Sequence, residues 1–331
     1  MTLPIALRAF WYAFIPAAIL AWPILKGLIA LKSRQTVSQY VAEHQVKQGT
    51  PTMGGLIIIA GTLVGFLALQ ITGAVAQLGD YWILMVGFAT IGFVDDFVVP
   101  RMIKGKRGLG WKQKILMELV LAVIPFATVD RSNMAAAIWG VFLVLFFSNA
   151  YNFTDGLDGL AASVGICLLL GLSALSFYLV GSSPEVGIVA MCLIGATVPF
   201  FFLNAAPAKV FMGDVGSLPI GAVIGLIFWK LLFTENIVQG KSSVACALGV
   251  ISLVMIVELV PVPLQIASVK LRKKKIFLFT PIHHAFEKIG WPETRTVWRY
   301  ALVQLLLSVL ALTIVVTSGP EAIAVVSRLG R

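Results

Sequence analysis

Charge is scarce in this chain. Of its 331 residues only 12% are Asp, Glu, Lys or Arg, while 59% are hydrophobic; a water-soluble domain carries about 25% charge. The shortage excludes an ordinary soluble fold, and the apolar excess excludes disorder, which requires low hydrophobicity. Cysteine is also scarce. Cys167, Cys192 and Cys246 lie in apolar runs without metal-ligand spacing, so neither a disulfide framework nor a zinc site is indicated. There is no GxxxxGK(S/T) phosphate loop, no Rossmann turn and no HExxH pair. No internal repeat is visible, and polarity does not gather at the middle of broken spans as a transporter would require. What remains is an all-α polytopic integral membrane protein, read as a single transmembrane domain over residues 1–331. Its 30 glycines and 15 prolines do not count against helices, because membrane helices tolerate both. The first apolar run contains Arg8 and reaches Lys32 without a small-residue cleavage site, which predicts a retained span rather than a signal peptide.

Apolar runs between polar breaks predict about ten transmembrane helices, near 5–30, 53–73, 81–100, 114–129, 134–151, 159–181, 186–203, 217–234, 243–264 and 297–318. The ninth ends in Glu258-Leu-Val-Pro-Val-Pro263, where two prolines should bend or break it. Ten spans leave loops 31–52, 101–113, 152–158, 204–216 and 265–296 on one side. These loops and their flanks hold all of the 25 Lys and Arg except Arg8, Arg131, Lys230, Lys241, Arg328 and Arg331. Under the positive-inside rule that side is cytoplasmic and both termini are outside. The net charge of +10 then reads as a face toward anionic membrane lipid and phosphate-bearing substrates, not toward nucleic acid.

The few acids and histidines gather on the same side. Five of the seven aspartates, Asp95, Asp96, Asp155, Asp158 and Asp214, fall at cytoplasmic span ends or in short loops there, as do His44, His283 and His284. Ionisable groups beside hydrocarbon are unfavourable and mark function. The adjacent pair Asp95-Asp96 favours a bound divalent cation or one raised pKa. A basic, glycine-rich stretch follows it, with Arg101, Lys104, Lys106, Arg107, Lys112 and Lys114. Asn149-Ala-Tyr-Asn-Phe-Thr-Asp-Gly-Leu-Asp-Gly-Leu160 places Asn149, Asn152, Thr154, Asp155 and Asp158 at one junction of spans; if a helical turn continues over 155–158, Asp155 and Asp158 share a face. Asn204 to Ser217 repeats the design, with Lys209, a hard oxygen ligand in Asp214, and Phe211 as either a base-stacking platform or a lipid-facing anchor. The segment 41–55 carries Lys47, Thr50 and Thr52. Residues 270–275 are basic, and 281–292 hold His283 and His284, whose adjacency suits phosphate, sugar or ring-carbonyl binding better than a shared metal.

With GTPTMGG at 49–55, Asp95-Asp96, NxxNxTDGLDGLA at 149–161, NAxPAxVFMGDxGS at 204–217 and PIHHxFExxGWPE at 281–293, the chain resembles the polyprenyl-phosphate N-acetylhexosamine-1-phosphate transferase superfamily. The likeness covers nearly all of residues 41–300. The first and last motifs point to its phospho-N-acetylmuramoyl-pentapeptide transferase branch, over one transferring plain GlcNAc-1-phosphate. The resemblance implies ten transmembrane helices in a bacterial inner membrane. It implies transfer of phospho-MurNAc-pentapeptide from UDP-MurNAc-pentapeptide to undecaprenyl phosphate, giving lipid I and UMP with Mg²⁺; a homodimer is compatible with it. Carried over residue by residue, Asp214 is a magnesium ligand and Asp95 a base or substrate-orienting carboxylate beside Asp96. Asn152, Asp155, Asp158 and Asn204 line the nucleotide side, Phe211 stacks on uracil, Lys47 and Thr52 contact substrate, and His283 and His284 sit over the phosphate or sugar.

Two positions depart from the family pattern. Val99 stands where a lysine is usual, four residues after Asp95, and Ala285 where a third histidine is usual. The neighbouring loop suggests Lys104 or Lys106 as the replacement cation.

Overall fold

The computed structural model describes residues 2–31, 49–103, 105–106, 108–129, 133–179, 185–233 and 241–318. Lys47 and Lys104 lie outside the described residues. Within them every extended regular element is a helix: α1 (Thr2–Ala30), α2 (Gly55–Ile71), α3 (Gly79–Phe93), α4 (Val99–Met102), α5 (Trp111–Val123), α6 (Met134–Thr154), α7 (Leu160–Tyr178), α8 (Glu185–Asn204), α9 (Asp214–Phe233), α10 (Lys241–Ile251), α11 (Leu253–Leu259), α12 (Pro261–Arg272), α13 (His283–Lys288) and α14 (Glu293–Thr317). A π turn over Val94–Val98 joins α3 to α4.

Eight helical stretches among the described residues are long and apolar enough to cross a membrane, including Gly79–Met102 across the π turn and Leu253–Arg272 across the proline bend. Gly55–Ile71 and Ser242–Ile251 are apolar but shorter. The run expected at 114–129 is a 13-residue helix closed by one 3₁₀ turn, Ile124–Phe126, that contains Pro125. The run expected at 243–264 is broken as its prolines require: Pro261 opens α12, where its missing N–H is no loss. Conversely, α6 runs past the expected end at 151 to Thr154, which puts Asn152 on a helix instead of in a loop.

Helix α9 is the hub. It is apolar on all sides and buried from Val215 to Phe228 without interruption, as expected of a helix surrounded by protein. It packs on α6 and α3, while α1, α2 and α8 form a second group and α7 and α10 meet α14. The outer helices turn large side chains outward, among them Leu7, Trp11, Ile15 and Trp22 of α1 and Leu302, Leu306 and Leu310 of α14. Between helices in lipid the close contacts come from small residues. Ala6, Ala9, Ala13, Ala17 and Ala21 form the buried stripe of α1. On α9, a Cβ added to Gly221 would stand 2.3 Å from the Phe147 carbonyl oxygen of α6.

This contact holds together the two helices that carry Asn152 and Asp214. Gly221→Ala should therefore destabilise the protein by about 1–3 kcal/mol, the usual cost of overpacking, read as a lowered thermal midpoint in detergent. An unchanged midpoint would show that α6 and α9 separate freely.

Candidate active site

Four chain segments converge on one carboxylate cluster. The π turn carries Asp95 and Asp96, and such wide turns recur at functional sites because they re-aim consecutive side chains. Asp95 Oδ1 accepts from the Leu109 N–H at 2.5 Å, which folds the glycine-rich loop back over the pair. Asp96 Oδ2 accepts from the Val215 N–H at 3.1 Å. Asp214 is the first residue of α9, where exposed N–H groups and the helix dipole favour negative charge. One oxygen from each of Asp95, Asp96 and Asp214 lies within 4.8 Å of the others.

Asp214 is held from both sides. Asn152 Nδ2 donates to Asp214 Oδ1 at 2.7 Å and to Ser217 Oγ at 2.8 Å. The Lys114 ammonium, from α5, pairs with Asp214 Oδ2. Among the described residues Lys114, not Lys106, which is exposed in its loop, therefore supplies the cation of the cluster; Val99 is buried. One turn further along α5, Glu118 is fully buried, and its Oε2 accepts from Asn149 Nδ2 at 2.6 Å.

The segment before α2 forms the next wall. Phe211 donates its N–H to the Pro51 carbonyl at 2.9 Å and accepts from the Gly54 N–H at 2.8 Å. Met53 adopts a φ of 75°, a left-handed conformation that costs roughly 1–3 kcal/mol outside glycine. Gly213, at φ 72°, lets this wall close on the cluster: a Cβ there would lie 2.5 Å from Asp96 Oδ2 and 2.8 Å from Thr52 Oγ1.

Helix α6 ends at Thr154, so Asp155 and Asp158 do not share a helical face. Burial, reinforced by Asp214 and Asp96, holds the Asp155 carboxyl well above the ordinary carboxylate range, with the Gly213 backbone pulling the other way. Asp158 Oδ2 accepts from the Ala208 N–H at 3.0 Å, and its own N–H donates to Glu293 Oε1 at 2.5 Å. Asn204 accepts from the Gly159 N–H at 3.0 Å and donates to the Val210 carbonyl at 2.9 Å. Asp158 and Asn204 thus tie the two motif loops to each other.

The cluster suits a hard divalent cation. Its donor set is all oxygen, its three carboxylates converge, and a cation already sits on Asp214 in the form of Lys114.

Comparison with known proteins fits this picture. Residues 47–59 match the model described as phospho-N-acetylmuramoyl-pentapeptide-transferase signature 1, and residues 79–231 match glycosyl transferase family 4. The chain is 34% identical over 334 residues to the phospho-N-acetylmuramoyl-pentapeptide-transferase of Staphylococcus epidermidis, an alignment covering 92% of this chain and 98% of that protein. The chain belongs to the phospho-N-acetylmuramoyl-pentapeptide transferase family. The transferases of that name from Helicobacter pylori strain Shi470 and Nautilia profundicola are 31% and 34% identical, over 92% and 93% of this chain and 91% and 93% of theirs. In this phospho-N-acetylmuramoyl-pentapeptide transferase family member, the stretch matched at 79–231 contains every described cluster residue named above, from Asp95 to Asp214.

His283 and His284 lie beyond that stretch, yet α13 brings them to the same end of the molecule. The His283 ring is fully buried, its Nδ1 2.8 Å from Glu258 Oε2, and its Nε2 faces Gly156, where an added Cβ would be 2.2 Å away. Glu258 Oε1 accepts from the His283 N–H at 3.2 Å and from the Tyr300 hydroxyl at 2.6 Å. His284 pairs instead with Glu287 at 2.5 Å. Glu258 and Tyr300 lie outside the quoted motifs, Glu293 closes the last motif without an assigned role, and Lys114 and Glu118 carry no assigned role either. The detectable signal was a carboxylate inside an apolar run, at 118 and at 258.

Removing Glu258 leaves the His283 N–H, the His283 ring nitrogen and the Tyr300 hydroxyl without their shared partner. Glu258→Ala should cost about 3–5 kcal/mol, as expected when one partner of a buried polar pair is deleted, and Glu258→Gln clearly less. Thermal unfolding of the two variants checks this; equal losses would mean that packing volume, not hydrogen bonding, matters at 258.

Proposed function

We propose that this protein transfers phospho-N-acetylmuramoyl-pentapeptide from UDP-MurNAc-pentapeptide to undecaprenyl phosphate, releasing UMP and forming lipid I. The observation that carries the reading is the convergence of Asp95, Asp96 and Asp214 with Lys114, in a chain whose relatives of known name are transferases of this kind. A lipid phosphate oxygen forms the new bond to the sugar-bearing phosphorus, and the bond from that phosphorus to the bridging oxygen breaks, leaving with UMP. Both reactants are anions, so the site must neutralise charge that builds on the transferred and leaving groups. Mg²⁺ held by Asp214, with Asp95 and Asp96 beside it, would supply part of that neutralisation.

The remaining roles fall to this chain's own side chains. Lys114 adds positive charge at the cluster. Asn152 orients Asp214, and Thr52 and Phe211 line the adjoining wall, with Phe211 as the platform for uracil. A phosphate monoester has its second pKa near about 6, so the lipid nucleophile is largely dianionic at neutral pH, and Asp95 serves to position more than to remove a proton. Asp155, Asp158 and Asn204 shape the nucleotide side, and His284 faces the sugar and phosphate, where Ala285 takes the third position of the motif, while the buried His283 supports the turn at Gly156 from beneath. Lys47, whose place falls outside the described residues, completes the substrate contacts. The ten-span topology, with both termini outside, turns this end of the molecule and the basic residues 270–275 toward the cytoplasm and its anionic lipids.

Asp214→Asn should lower Mg²⁺-dependent UMP release by at least about 10²–10³-fold, the scale of losing one preorganised charge-stabilising group, with helical content unchanged. Near-native turnover at ordinary magnesium would remove Asp214 from the metal. Asp95→Asn should be comparably slow and should not recover at high pH, since a positioning role is not replaced by deprotonating the phosphate. Assaying UDP-GlcNAc beside UDP-MurNAc-pentapeptide tests the substrate directly; faster UMP release from UDP-GlcNAc would overturn the muramoyl reading. For topology, Lys106→Cys should react with impermeant thiol reagents only from the cytoplasmic side of oriented vesicles.

A further inference from the structure

Glu118 presents a problem that the proposed chemistry does not solve. Its carboxylate is wholly buried beside the active site, and only one of its oxygens is satisfied. Oε2 accepts from Asn149, whereas Oε1 has no hydrogen-bond partner among the described residues. A buried acceptor left unpaired is unfavourable and rare in folded proteins. A candidate donor is on the same helix. Lys114 lies four residues earlier on α5, the spacing that puts two side chains on one face about 5–6 Å apart at Cβ. Yet no hydrogen bond or ion pair joins the two, because the ammonium is turned to Asp214.

The Lys114 ammonium thus occupies the place of a cation within the carboxylate cluster. A divalent ion arriving on Asp214 would meet it at short range in a partly buried site, where like charges repel. The lysine must then leave Asp214, and an ammonium in such surroundings needs another acceptor. Glu118 Oε1 is buried, unpaired and one helical turn away.

We propose that Glu118 is the second seat of the Lys114 side chain: Lys114 rests on Asp214 when the cluster lacks a divalent cation and moves to Glu118 Oε1 when one binds. The inference rests on the metal reading of the cluster given above. The movement is a change of rotamer within one helix face and transfers no proton. It retains the lysine's positive charge beside the cluster after the metal takes Asp214. Glu118 is in this sense a positioning residue acting through Lys114, and Asn149 fixes the orientation of its carboxylate.

Direct Mn²⁺ binding to the purified full-length chain in detergent, followed by the electron paramagnetic resonance signal of the free ion, tests this without reference to turnover. Glu118→Gln keeps an oxygen for Asn149 but removes the charged seat, so Mn²⁺ should bind about tenfold more weakly. Lys114→Met removes the competitor and should bind more tightly than wild type. In the Lys114→Met background, adding Glu118→Gln should change nothing, because the glutamate acts only through the lysine. Equal binding by Glu118→Gln and wild type, or the same weakening in both backgrounds, would overturn the proposal; the latter would make Glu118 a plain electrostatic contributor. If Glu118→Gln loses helical content, Lys114→Met alone decides, and binding no tighter than wild type rejects the exchange. Wild type that fails to bind Mn²⁺, or Asp214→Asn that binds it undiminished, would instead refute the metal reading, and the exchange with it.

Discussion

Three carboxylates with oxygens inside 4.8 Å of one another repel unless positive charge or aimed N–H groups compensate them. Much of the structure around them supplies that compensation. Lys114 brings a full charge to Asp214, Val215 and Leu109 bring backbone N–H groups to Asp96 and Asp95, and Asn152 brings an amide to Asp214. These donors come from α5, α6, the start of α9 and the loop before α5, so the cluster exists only if those segments are correctly docked. The electrostatic demand of the site and the packing of the helices are one constraint seen at two scales.

Helix α9 transmits that constraint. Its first residue is a cluster carboxylate and its second donates an N–H to another, while the rest is almost entirely buried apolar surface. A helix so placed cannot slide without moving Asp214 relative to Asp95 and Asp96. Gly221 strengthens the point by bringing the α9 backbone against that of α6. That approach sets the distance across which Asn152 reaches both Asp214 and Ser217.

How far the sequence disclosed this depends on what each residue's signal resembled. The apolar runs predicted most helices to within a few residues, because about 20 uninterrupted apolar residues have few other uses. Asp95, Asp96, Asn152 and Asp214 stood out since polar side chains are rare in this composition. Lys114 did not, as one of six basic residues in a loop that positive-inside topology already explains. Only the fold shows that it, and not Lys106, turns inward. Asp158 and Asn204 were visible as polar residues, but their part in tying the motif loops together is a long-range fact: Asn204 spans to Gly159, and Asp158 reaches both Ala208 and Glu293. Such pairings have no local spacing that a sequence reading can detect.

Glu118 and Glu258 show what a stricter reading of the same rule would have caught. Each is a carboxylate inside an apolar run, and each proves fully buried. Burying an ion is unfavourable enough that it persists only with partners or for a purpose. Glu258 has its partners, binding the His283 backbone and ring and the Tyr300 hydroxyl and so joining α11, α13 and α14 beneath the Asp155–Asp158 turn. Glu118 has half of its complement. The difference separates two uses of buried charge: a carboxylate whose contacts are complete stabilises one arrangement, whereas one with an open oxygen beside a movable ammonium favours a second. Val99 bears on the same distinction. With an apolar residue there, the described structure draws the cluster's cation from α5 instead. There a carboxylate outside the cluster, Glu118, stands one turn further along the same helix to receive it.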